Sequence, residues 1–191
     1  MRKAFLLLLI LFVISTAAAA EQAALSAKLT RLHVIAASDS DGDQRQKLLV
    51  RDALLRETPT LLADGPDGGT LIRRFETAAR AALDSLGSDA EVTVTLGREN
   101  YDLRRYESFA LPAGSYRSLR VVIGPGEGQN WWCVLFPPLC FASSEEFFAT
   151  AEEAGLTEEE ISLITESGTG YVVRFRIVQL VEKLLQFLRE L

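Results

Sequence analysis

One histidine and two cysteines are all that this 191-residue chain offers as nitrogen and sulfur ligands for a metal. A zinc centre built from Cys and His would need nearly all of them at once, so a structural metal is not expected, and no other cofactor is called for. Positive charge is also short: 20 Lys and Arg stand against 26 Asp and Glu, a formal net charge of −6. Neutralising phosphates takes clustered Lys and Arg, which argues against a nucleic-acid partner. The nucleophile motifs G-x-S-x-G and S-x-x-K are missing, and no carboxylate spacing names a glycosidase pair. Only Cys133 and His33 remain as a thiol-imidazole pair.

What is present begins with an export signature. Met1-Arg2-Lys3 is a short basic start, Ala4 to Ile14 is apolar, and Ala17 to Ala20 supply small residues before Glu21. This is the layout of a secretory signal peptide over residues 1–20, with an apolar stretch too short to span a bilayer comfortably. Retention of the segment as an anchor is the alternative. Either way, the remainder is expected outside the cytoplasm, and no later run is long and apolar enough for a second span.

Hydrophobic periodicity predicts an α/β (α+β) domain over residues 21–141. Strands are expected at Arg31–Ala37, Glu91–Leu96 and Ser115–Ile123, each with alternating apolar positions. They form a small antiparallel or mixed sheet of about three strands. Two helices lie between the first and second strands and cover one face. The first runs from about Asp43 to Leu62 and should break or kink at Thr58-Pro59. The second runs from a Thr70 cap to Leu86, where Gly87 suits a left-handed C-cap. Ser38 to Asp43 resembles a calcium loop but lacks the required Gly at Gln44 and Glu at Val50. Ser40 as N-cap, with Asp43 three residues on, is the better account.

Residues 142–170 are crowded with glutamate and read as a mobile or loosely helical acidic segment. Residues 171–191 carry Val173, Ile177, Leu180, Leu184, Leu188 and Leu191 as one apolar stripe. A C-terminal amphipathic helix packing on the domain is expected there, with membrane contact as the other use of such a face.

Both tryptophans and both cysteines fall in Asn130-Trp131-Trp132-Cys133 … Phe136-Pro137-Pro138 … Cys140, directly after the glycine-rich Gly124-Pro125-Gly126-Glu127-Gly128. The glycine stretch lacks the Lys and Ser/Thr of a phosphate loop and carries Glu127, so it reads as a flexible turn. Cys133 and Cys140 in an exported chain are a disulfide candidate that would fix a Trp-rich loop. Tryptophan suits cores and interface hot spots equally. Asn130, Trp131, Trp132, Phe136, Pro137 and Pro138 are the candidate partner-binding residues, with one Trp buried and the other presented.

Arg31 to Ser40, Val50-Arg51-Asp52, Leu111 to Tyr116, Leu119 to Gly124 and above all Asn130 to Cys140 (NWWCVLFPPLC) resemble the stage II sporulation protein R family. The resemblance implies a protein secreted from the forespore into the space between the two membranes that divide it from the mother cell. It implies a non-enzymatic signal that triggers a membrane-embedded aspartic protease processing pro-sigma-E, and it carries over no catalytic residues. An exported cysteine hydrolase using Cys133 and His33, or a structural envelope component, are the competing readings.

Overall fold

The computed structural model of the protein describes residues 12, 16, 19–64, 67–106, 108–139 and 144–165. The signal segment lies largely, and the C-terminal amphipathic stretch wholly, outside these residues. The chain forms two compact units, one built on Leu29–Glu99 with Tyr116–Ser143, the other on the remaining segments.

The first unit contains a mixed sheet in the order β2-β5-β1-β6. Its strands are β1 (Thr30–Ile35), β2 (Val92–Tyr101), β5 (Gly114–Ile123) and β6 (Asn130–Phe136). The three strands expected from alternation are present. The fourth, β6, is the Trp/Cys stretch itself, which is therefore a strand and not a loop. Its sequence NWWCVLF hides the period of two because Cys133, Val134 and Leu135 are all buried in succession. A register shift opposite Thr30/Arg31 accommodates that run.

β1 pairs with β5 in parallel and with β6 antiparallel. The parallel pairing requires a long crossover, supplied by helices α2 (Asp41–Asp64) and α3 (Gly68–Asp84) followed by β2. Both helices cover one face. Val50 and Leu54 of α2 and Leu71, Phe75, Ala79 and Leu83 of α3 pack with Leu32, Val34, Leu119, Val121, Cys133 and Leu135 of the sheet. Burying such side chains contributes about 1.5–3 kcal/mol each, which makes this the dominant stabilising layer.

Local chemistry sets the helix ends. Ser40 Oγ accepts from the Asp43 N–H at 3.2 Å, as a capping residue should, while the Asp43 carboxylate accepts from Ser38 Oγ. For α3 the cap is Asp67 and not Thr70. Its carboxylate accepts both the N–H and the hydroxyl of Thr70 at 2.9 Å, and these bonds hold its pKa below the usual carboxylate range. Gly87 has φ of +65° as expected of a helix-terminating glycine, and the Ser88 N–H returns to the Leu83 carbonyl at 3.0 Å. Contrary to expectation, α2 continues through Pro59 to Asp64. Buried Thr58 donates its hydroxyl to the Leu54 carbonyl, and packing along α3 overrides the local preference.

The second unit contains α1 (residues 19–28), the two-stranded pair β3 (Arg104–Arg105) and β4 (Ala110–Leu111), and helices α4 (Ser144–Glu153) and α5 (Glu158–Thr165). The acidic segment thus holds two helices, anchored by buried Phe147, Ala151, Leu156, Ile161 and Ile164. Phe109 stacks on Phe147 at 5.2 Å, and Lys28 pairs with Glu160 at 2.6 Å.

The glycine-rich turn has a topological task. β5 and β6 flank β1 on opposite sides, so the chain must pass over the end of β1, a distance of about 10 Å at two strand spacings. It does so in close contact. The N–H groups of Glu127 and Gly128 donate to the carbonyls of Ala37 and Ala36 at 3.2 and 3.0 Å. A Cβ on Gly128 would lie 2.2 Å from the Ser38 carbonyl oxygen, and one on Gly126 (φ +68°) 2.5 Å from Val122 Cγ1. The turn is pinned rather than flexible. Gly128→Ala is therefore expected to destabilise the protein by about 1–3 kcal/mol. Gly97→Ala, whose new methyl meets nothing within 4 Å, should change stability by only about 0.5 kcal/mol. Urea denaturation of the two variants measures the contrast.

Candidate partner-binding edge

β6 lies at the end of the sheet order, with β1 as its neighbour. Successive side chains of a strand point to opposite faces, and the two tryptophans divide accordingly. Trp131 is half-buried on the helix-covered face, packed against the core, with the Arg51 guanidinium 5.3 Å over its ring. Trp132 is half-buried on the other face and stacks on His33 at 5.5 Å with 19° between the planes. Neither is simply buried or simply presented; each is held by a neighbour that leaves part of the indole open.

The face carrying Trp132 is polar in its middle. Glu99 of β2 accepts the Ser118 hydroxyl at 2.5 Å, lies 3.4 Å from His33 Nδ1, and sits 3.7 Å from Arg120 Nε. Arg31, fully buried, places its guanidinium 5.1 Å over the ring of Tyr116. Sequence reading passed over Glu99, because a single acid near the end of an alternating strand carries no local signal.

This geometry separates the thiol from the imidazole. Cys133 pairs with Leu32 and lies in the core, whereas His33 pairs with Trp132 on the opposite face. The sheet itself stands between them. Cys133 is buried, with its Sγ donating to the Val134 carbonyl at 3.4 Å. The expected pairing with Cys140 lies outside the described residues. Among the described residues no group of three or more His, Cys, Asp or Glu could hold a metal ion. Asp39, the first acid of the calcium-like stretch, instead accepts the Gln129 N–H at 2.7 Å.

The other candidate residues fall at the two ends of β6. Asn130 is exposed at its start. Phe136 packs against the core, Pro137 is buried, and Pro138 is half-buried. Buried Pro137 therefore shapes the end of the strand, while Asn130, both indoles, Phe136 and Pro138 keep accessible surface.

Lys47 fixes the start of β6 to α2. It is buried, and its Nζ donates to the Gln44 side chain at 2.6 Å and to the Gln129 carbonyl at 3.0 Å. Burial lowers its pKa from the ordinary 10.5; Asp39 opposes that shift and Arg51 adds to it.

Against known proteins, the chain matches the family model described as stage II sporulation protein R over residues 26–146. It is 31% identical over 148 residues to the stage II sporulation protein R of Bacillus subtilis (strain 168), covering 73% of this chain and 66% of that protein. The match thus spans just under two thirds of that relative's length. No solved structure matches. With all four strands of the main sheet inside the matched region, the chain belongs to the stage II sporulation protein R family.

The Lys47 clamp makes a signed prediction. With the native pKa below the unfolded one, the unfolded chain binds more protons between the two values, so stability rises with pH across that alkaline window. Lys47→Met should abolish the rise. Urea unfolding at several alkaline pH values below the ordinary lysine pKa of 10.5, in both proteins, tests this as a difference in slope.

Proposed function

We propose that this protein is a secreted, non-enzymatic signal acting in the space between forespore and mother cell during endospore formation. It triggers a membrane-embedded aspartic protease that processes pro-sigma-E, by binding the extracytoplasmic side of that protease. Family membership across β1 to β6 carries this reading, supported by the export signature at residues 1–20. The separation of Cys133 from His33 by the sheet speaks against a hydrolase built on that pair. Binding would act by favouring the protease's active arrangement over its resting one, through higher affinity for the former.

Contact is assigned to β6 and the residues just after it, where Asn130, Trp131, Trp132, Phe136 and Pro138 keep accessible surface while buried Pro137 holds the strand end. Partly open indoles backed by rigid neighbours are the kind of side chain that dominates interfaces. Trp131→Ala and Trp132→Ala, each verified as folded by circular dichroism and thermal melting, should lower pro-sigma-E processing about tenfold or more, the size of a hot-spot loss. Normal processing by both folded variants would remove β6 as the contact. Processing that persists when the gene is deleted would leave only a structural role in the envelope. Cys133→Ala and His33→Phe, the latter retaining a ring against Trp132, should signal at the wild-type level; a loss confined to these two, with folding intact, would restore the hydrolase reading.

A further inference from the structure

The first half of α2 presents an apolar pair to solvent. Leu48 and Leu49 are 38% and 44% exposed, although the same helix buries Val50 and Leu54 completely on its inner side. Exposed Arg45 and Arg56 bracket them, one turn before and two turns after, on the outward side of the helix. Arg56 makes no ion pair among the described residues, and Arg45 donates only to the Asp41 carbonyl at 3.3 Å. Arg51, three residues on from Leu48, is neutralised by Asp52 at 2.7 Å and lies over Trp131. The helix face and the edge strand therefore meet at the Arg51–Trp131 contact. With exposed Asp41 one turn before Arg45, the balance around the leucines is Arg45, Arg51 and Arg56 against Asp41 and Asp52, a surplus of one positive charge in a chain of net charge −6.

We propose that this outer face of α2 is part of the contact surface, and that it takes an acidic partner segment bearing apolar side chains. The inference rests on the functional reading above and extends its site from β6 onto α2. Leu48 and Leu49 would be covered by the partner's apolar residues, and Arg45 and Arg56 would meet its carboxylates at the rim, where charge governs the rate of encounter and its salt dependence. Two leucines are too little apolar surface to hold a protein on a bilayer when even a single acyl chain binds only marginally, and the net acidity opposes an anionic one. A protein partner is favoured for that reason.

The test uses the full chain produced together with the protease and pro-sigma-E, with processing followed by immunoblot. The variants are Leu48→Asp with Leu49→Asp, Arg45→Glu with Arg56→Glu, and Leu86→Asp as a control at an exposed leucine off this face. All five positions are exposed, so melting temperatures should stay close to wild type. Both double variants should lose about tenfold or more of the processing, while Leu86→Asp keeps it. Wild-type processing by both folded double variants overturns the inference and leaves the function standing. A wild-type chain that triggers no processing removes the functional reading and this surface with it. Co-sedimentation of the wild-type chain with phosphatidylglycerol vesicles, lost in the leucine double variant, would assign the face to lipid and overturn the protein partner.

Discussion

The passage of the chain over the end of β1 is the constraint on which the main sheet depends. β5 must hand over to β6 across a strand that both of them flank, and only a turn with glycine at 124 and 128 fits against Ala36 to Ser38. The carbonyls of Ala36 and Ala37 would otherwise lack ladder partners at the end of β1; the turn's own N–H groups satisfy them. Asp39 and Lys47 then secure Gln129 from either side, so β6 starts at a fixed height beside β1. Register follows from that start, and with it the assignment of each tryptophan to a face. A slip by one residue would exchange them.

Seen this way, the acids at Ser38 to Asp43 and the glycines at 124–128 are two halves of one junction. Each resembled a ligand-binding loop when taken alone. Together they solve a backbone problem: the carboxylates of Asp39 and Asp43 are occupied by an amide and a hydroxyl, and the glycines allow close approach. Calcium-like and phosphate-like sequences can arise from that need, because small residues and short acids are what tight backbone crossings require.

Much of the fold was legible in the sequence where burial is one-sided. β5 and α3 show clean periodicity because one face of each packs on the core, whereas β1, buried on both faces, alternates because Arg31 and His33 stand on the side away from Leu32 and Val34. β6 was not legible because three consecutive residues are buried, which erases alternation. The acidic helices α4 and α5 were obscured by their glutamates, of which Glu146, Glu152, Glu153, Glu158 and Glu159 are exposed around only a few buried anchors. Pro59 signalled a break that packing between α2 and α3 overrides. For the site, residue identities were legible and geometry was not. The Trp-Trp pair marked the place, but its division between faces needed the register, and Glu99 and Arg51 reach it from distant segments.

The placement of two neighbouring indoles on opposite sides of one strand gives the protein a built-in directional reporter. Trp131 senses the cationic side chain of α2, and Trp132 senses an imidazole within a carboxylate network. A molecule settling on either face would perturb one indole and leave the other in its resting environment. A strand added along the outer edge of β6 would disturb both at once. The fold therefore encodes the direction of approach in which of two optical signals responds.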